Sequence, residues 1–357
     1  MQYEWRKSIA YMSFDNTTIH FHNNFNQKIE PNTLPEKLTT LIFGKNFNQG
    51  IDPNTLPKNL TTLTFKDNFN QKIEPNTLSE NLTTLTFGDS FNQKIEPNTL
   101  PENLISLTFG RYFNQKIEPN TLPENLTSLT FRYHFNQKIE PNILPENLTT
   151  LNFGDSFNQK IEPNSLSENL TTLTFGDSFN QKIELNSLPN KLTILNFGRW
   201  FNQKIEPNTL PENLITLIFG EIFNQKIKPN TLPEKLTTLT FGKFFNQKID
   251  SEILPSNLKN INFDWIHLNT NFPIKHHIEM INNIPSYYQV KILLNYNIFG
   301  INGIKWPIHD INYRENKWPL EIYEIQDKYN HPIYGSIIIL INKKTYQPYS
   351  FAKSAIR

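Results

Sequence analysis

The chain has no cysteine in 357 residues, which excludes a disulfide framework and thiolate chemistry and suits a reducing compartment. An excess of either charge is also missing. With 34 Lys and Arg against 33 Asp and Glu the formal net charge is +1, so no overall field draws the chain to nucleic acid or to an anionic membrane. No apolar run approaches the roughly 20 residues that a membrane-spanning helix needs. Met1 to Ala10 is interrupted by Glu4, Arg6 and Lys7, unlike the continuous apolar core of a secretory signal. Gly-rich phosphate loops and Gly-x-Ser-x-Gly elbows are absent as well. These absences lead to the expectation of a soluble, intracellular, cytoplasmic protein of a cell or host cell, monomeric, without cofactor or metal, and with no nucleic-acid or membrane partner.

What the chain has is a period. The Phe of Phe-Asn-Gln returns every 22 residues from Phe25 to Phe245, and a second Phe returns in step from Phe21 to Phe263. A fixed period in this range marks a solenoid, whose units bury their apolar faces only by stacking. Counting the second Phe gives twelve coils. In the unit Leu82 to Asn103, Leu82, Leu85, Phe87, Phe91, Ile95 and Leu100 are the large apolar residues, and Thr84 and Thr86 alternate with Leu85 and Phe87. Alternation of period two over a β-branched run predicts a short strand with one buried face. Gly88 is expected at the strand exit in a conformation that other residues avoid. Pro97 and Pro101 exclude a long helix on the return path, leaving turns, extended segments or 3-10 pieces.

The polar columns have structural duties in this reading. Asn92, Gln93 and Asn98, with their copies, are expected to bond turn backbone groups and one another from coil to coil. Lys94 and Glu96 flank the inward Ile95 and are expected on a solvated face, their columns pairing diagonally. The Asn-Leu-Thr triplets, such as Asn81-Leu82-Thr83, match the glycosylation acceptor pattern but are read as by-products of the repeat. Thr-x-Thr columns on a flat sheet also raise ice binding, which the interruptions at Ile42, Asn152, Ile194, Asn196 and Ile218 argue against.

The unit Leu-x-x-Leu-x-Phe-Gly-x-x-Phe-Asn-Gln-x-Ile-x-x-Asn-x-Leu-Pro resembles the FNIP repeat, a leucine-rich-repeat-like unit of amoebal and giant-virus proteins. The resemblance runs over about residues 16–263 without an insertion. It implies a β-solenoid of 22-residue coils with a curved parallel sheet, used for protein interaction and without catalysis of its own. Residues 1–15 read as an N-terminal cap, too short for the extra module that some amoebal relatives carry. Residues 264–357 read as a small α+β domain, a cap or an interaction module. Within it, two short helices are expected around Pro285 between His276 and Phe299, and a hairpin from the run Ile337 to Ile341 into Thr345-Tyr346. His276, His277, His309 and His331 with Asp310 match no metal spacing and are read as structural or surface histidines.

If packing fixes the scaffold columns, recognition falls on the columns that vary, namely the two residues ahead of each Phe-Asn-Gln, in the loop leaving the strand. Two clusters emerge at this rim: Arg111, Tyr112, Tyr133 and His134, and then Arg199, Trp200, Ile222, Lys243 and Phe244. Aromatic residues and Arg are enriched in interface hot spots. The alternative is that these side chains pack on neighbouring coils, or that the second cluster meets the C-terminal segment. The functional expectation is a non-enzymatic scaffold binding an unidentified protein. The alternatives kept open are a substrate-recruiting adaptor of the ubiquitin-ligase type and an enzyme activity in residues 264–357.

Overall fold

The computed structural model describes residues 4–264, 289–296 and 335–341. A 3-10 turn, Glu4–Ser8, leads into strand β1 (Ile9–Met12), which lies antiparallel on β2 (Thr18–Phe21). From β2 to β13 (Asn260–Asp264), twelve strands recur at the 22-residue period and pair in parallel, in chain order, as one sheet. Twelve strands enclose eleven complete coils, so the sequence count is a count of strands.

Each strand is short because only its middle residue and the following Phe face inward. Leu85 and Phe87 are buried while Thr84 and Thr86 are half-exposed, and the register holds Leu85 against Leu107. The interior holds two columns of phenylalanine. Phe87 stacks on Phe91 of its own coil with centroids 3.8 Å apart and on Phe109 of the next at 5.9 Å; Phe91 meets Phe113 at 6.1 Å. No coil can bury its Phe pair alone, which is why the fold exists only as a stack.

The return path is built from turns. Glu96-Pro97-Asn98-Thr99 closes with the Thr99 N–H on the Glu96 carbonyl at 3.2 Å, and Asn98 has φ of 60°. Proline at the second position and positive φ at the third define a type II turn. The Asn98 column is therefore set by backbone conformation, and not by the amide stacking expected for it, because Asn tolerates the left-handed region better than most residues. Where Glu252 stands in that column, the turn gives way to a 3-10 piece, Ser251–Ile253.

The other amide column does stack. Asn92 Oδ1 accepts the Asn114 N–H at 2.9 Å and the Gln115 Nε2 at 3.0 Å, and the pattern repeats along the array. Each asparagine of the Asn-Leu-Thr type also acts in the frame: Asn81 Nδ2 donates to the Lys58 carbonyl at 2.9 Å.

Two expectations change. The glycines at the strand exits show no positive φ; they are needed because the next backbone is too close. A Cβ at Gly176 would sit 1.9 Å from the Gly154 carbonyl oxygen. The Lys–Glu pairs form mostly within a coil, as Lys94 Nζ with Glu96 at 3.1 Å, because residues two apart on an extended segment project to one side. Among the described residues a pair of these columns crosses coils where a neighbour departs from the pattern, as Lys228 with Glu206 at 2.9 Å.

Past β13, strand β14 (Gln289–Tyr296) adds in parallel and β15 (Gly335–Ile341) adds antiparallel to it. The helix expected over this part of 276–299 is thus a strand. The backbone groups along the outer side of β13 offer a ladder that a β-branched and apolar run can complete, and this tertiary pairing overrides a local reading. The run Ile337 to Ile341 pairs with β14; the other arm of the expected hairpin, Thr345 and Tyr346, lies outside the described residues.

Candidate functional site

The rim residues are the two central positions of a β-turn. In Gly88-Asp89-Ser90-Phe91 the Phe91 N–H closes on the Gly88 carbonyl at 3.1 Å, and the Ser90 N–H donates to the Asp67 carbonyl of the preceding coil at 2.7 Å. With the flanking Gly and Phe fixed inside and the turn tied coil to coil, the central side chains are the ones left to face solvent. That is why these columns vary while the Phe that follows them does not.

In the first cluster the structure brings all four predicted residues together. The Arg111 guanidinium lies over the Tyr133 ring at 4.9 Å, Tyr112 stacks on His134 at 5.0 Å, and Tyr133 meets His134 edge-on at 4.8 Å. Stacking on neighbouring coils and exposure coexist, since Tyr112 keeps 50% and Tyr133 41% of its surface in solvent. Beside them lies an open recess of about 400 Å³, lined by Asp89, Arg111, Phe131, Arg132, Tyr133, Phe153, Gly154 and Asp155. Arg132 reaches past one coil to Asp89 at 3.3 Å. Partial desolvation beside the recess pushes the carboxyl of the otherwise exposed Asp155 above its ordinary range, repulsion from Asp177 adds to this, and Arg111 opposes it. Arg132, Asp89 and Asp155 were not among the predicted residues. The signal for Arg132 was present, because it stands where most units carry Gly.

The second cluster is also contiguous. Trp200, Ile222 and Phe244 occupy one column of three adjacent coils, with Trp200 51% and Phe244 43% exposed and Ile222 half-buried. In the other column Glu221 accepts from Arg199 Nε and pairs with Lys243 Nζ at 3.4 Å. Arg199 and Lys243 also lie over the Trp200 and Phe244 rings at 5.6 and 5.0 Å. Glu221 was missed as a site residue, although it holds both cations in place.

Among the described residues no group of three or more His, Cys, Asp or Glu is placed to hold a metal ion. His276, His277, His309, Asp310 and His331 lie outside the described residues. No helix among the described residues is long and apolar enough to cross a membrane.

Five matches to the FNIP Repeat family model cover residues 25–68, 69–112, 113–156, 157–199 and 201–244, more than half of the chain. The chain belongs to the FNIP-repeat family. Each match takes in two coils and opens at or next to the Phe of a Phe-Asn-Gln, so the family unit starts just after the rim pair. Among solved structures, this FNIP-repeat protein is similar to CroV588 of a giant virus, described as a novel circular LRR protein. The two are 53% identical with a TM-score of 0.68, over 69% of this chain and 36% of that one. The chain therefore spans about a third of the length of that relative. Comparison with curated proteins gave no match.

Proposed function

We propose that the protein is a non-enzymatic interaction scaffold that grips a protein partner through the rim clusters. Solenoids of this leucine-rich-repeat-like type are typically used for protein interaction. One observation carries the reading to particular residues. Nearly every column of the coil is consumed by packing or turn-making, yet large aromatic side chains stand exposed beside Arg or Lys at the turns of two groups of coils. Such residues bury much area at small entropic cost, and truncating a hot-spot aromatic costs about 2 kcal/mol or more, near 30-fold in affinity.

The test is affinity purification from a cell extract with the full chain, with Trp200→Ala/Phe244→Ala, and with Tyr112→Ala/Tyr133→Ala. Loss of a partner with one variant and its retention with the other assigns the cluster. Equal recovery with all three proteins overturns the proposal.

A further inference from the structure

The coils that carry the second cluster differ from the rest of the array in two independent ways. The first is on the strands. At the positions where Thr83, Thr84 and Thr86 stand in their unit, residues 215, 194 and 218 are Ile; elsewhere isoleucine stands at these positions singly, as Ile42 and Ile105, whereas here three fall together. Ile194 is 39% and Ile215 44% exposed, and Ile218 is half-exposed. The three belong to two adjacent coils, Ile194 to one and Ile215 and Ile218 to the next, since Ile194 pairs with Thr216 and Ile218 with Asn196. Ile194 precedes Trp200 on one coil, and Ile215 and Ile218 precede Ile222 on the next, so two of the three coils with an apolar rim residue also carry exposed or half-exposed isoleucine at the strand. Three coils about 4.8 Å apart span about 10 Å, the width of an α-helix with its side chains.

The second difference is charge. Residues 67–178 carry 14 Asp and Glu against 7 Lys and Arg, whereas residues 190–250 carry 5 against 8. The near-neutral total hides an acidic middle and a basic end. Glu221 offsets one of the two cations it contacts, so the patch itself keeps positive charge through Arg199 and Lys243.

We propose that coils 190–250 receive an acidic amphipathic helix of a partner protein. Its apolar side chains lie on the Ile and aromatic surface, and its carboxylates meet Arg199 and Lys243. This rests on the scaffold reading and names the partner's chemistry at that site.

The experiment is selection of a displayed library of random 16-residue peptides on the full chain, followed by binding of the winners to two variants. Ile194→Thr/Ile215→Thr/Ile218→Thr restores the residues that other coils carry, so it is built from side chains the coil already accommodates. Arg199→Ser/Lys243→Ser removes the charges. The expected result is enrichment of peptides with Leu, Ile, Phe or Trp at helical spacing next to Asp or Glu. Each variant should bind them at least about 10-fold more weakly, a loss of about 1.4 kcal/mol, and binding should weaken as salt is raised.

Enrichment of basic or uncharged peptides, winners indifferent to both variants, or no enrichment would each overturn the proposal. So would a concentration-dependent dimer in sedimentation that the triple-Thr variant abolishes, because the occupant would then be a second copy. None of these outcomes removes the scaffold reading, which falls only if both pairs of aromatic-to-Ala substitutions leave partner recovery unchanged.

Discussion

Replacing Asn158 by alanine removes one acceptor that serves two donors of the next coil, the Asn180 N–H at 2.9 Å and the Gln181 Nε2 at 3.0 Å. The Gln181 amide can turn to water, so its loss costs little. The Asn180 N–H belongs to the half-buried turn backbone and cannot turn. Leaving such a donor unsatisfied costs about 1–3 kcal/mol, and partial solvent access places the expected loss near the lower end, about 1–2 kcal/mol. Asn158→Asp is the decisive companion, because a carboxylate accepts from both donors, and charge-assisted bonds are the stronger kind. At pH 7 the Asp variant should therefore keep stability within about 0.5 kcal/mol of the parent. These bonds hold the new carboxyl below its unfolded pKa. Its contribution is thus complete above that value and is lost as pH falls through the folded one. The assays are urea unfolding followed by circular dichroism, in salt high enough to screen nearby carboxylates, and hydrogen exchange at the Asn180 amide. Protection there should drop about 10-fold for each 1.4 kcal/mol lost in Asn158→Ala. Equal losses in both variants would show that the Asn158 NH2 group matters, and no loss in either would show that the ladder adds nothing; both results refute the acceptor account.

Three further outcomes follow from the coil geometry. Gly176→Ala should lower the thermal midpoint, by about 1–3 kcal/mol in stability, because its Cβ meets backbone, whereas Gly50→Ala, with nothing within 4 Å of an added Cβ, should be neutral or gain up to about 1 kcal/mol. In the Thr column of the return turn, Thr99→Val should stabilise by about 1 kcal/mol, since the Thr99 hydroxyl is buried without a partner, while Thr209→Val should destabilise by a similar amount, since the Thr209 hydroxyl donates to the Glu206 carbonyl at 2.7 Å; chemical denaturation should give opposite signs for one and the same substitution. Asp155→Asn should raise stability at pH 7, because a carboxyl with a raised folded pKa disfavours the folded state once ionised, and the difference from the parent should vanish as pH falls below the unfolded carboxylate value; a gain that persists at low pH would contradict that sign.

Much of the molecule can be read from its letters. The period sets the number of strands, alternation at Thr84 to Phe87 sets which side chains go in, and the variable pair ahead of each Phe-Asn-Gln marks the exposed turn. These are local facts, repeated until they are unambiguous. Backbone conformation is less legible, because residue type alone does not say which bend needs the left-handed region. Gly88 and Asn98 both sit at bends, and the letters alone assigned the unusual backbone to the glycine. In fact Asn98 takes the positive φ, and Gly88 is small because the carbonyl of Lys66 passes 1.7 Å from where its Cβ would be.

What tertiary structure alone decided are the relations between coils. The distance from one backbone to the next fixes the glycine column, lets Arg132 reach Asp89 over an intervening coil, and hangs Arg199 and Lys243 on Glu221. Likewise Gln289–Tyr296 is a strand because β13 presents an open side to it, a circumstance no local propensity records. Sequence by itself determined which residues of this protein are frame and which are free. The spacing of the stacked coils decided which of the free residues meet.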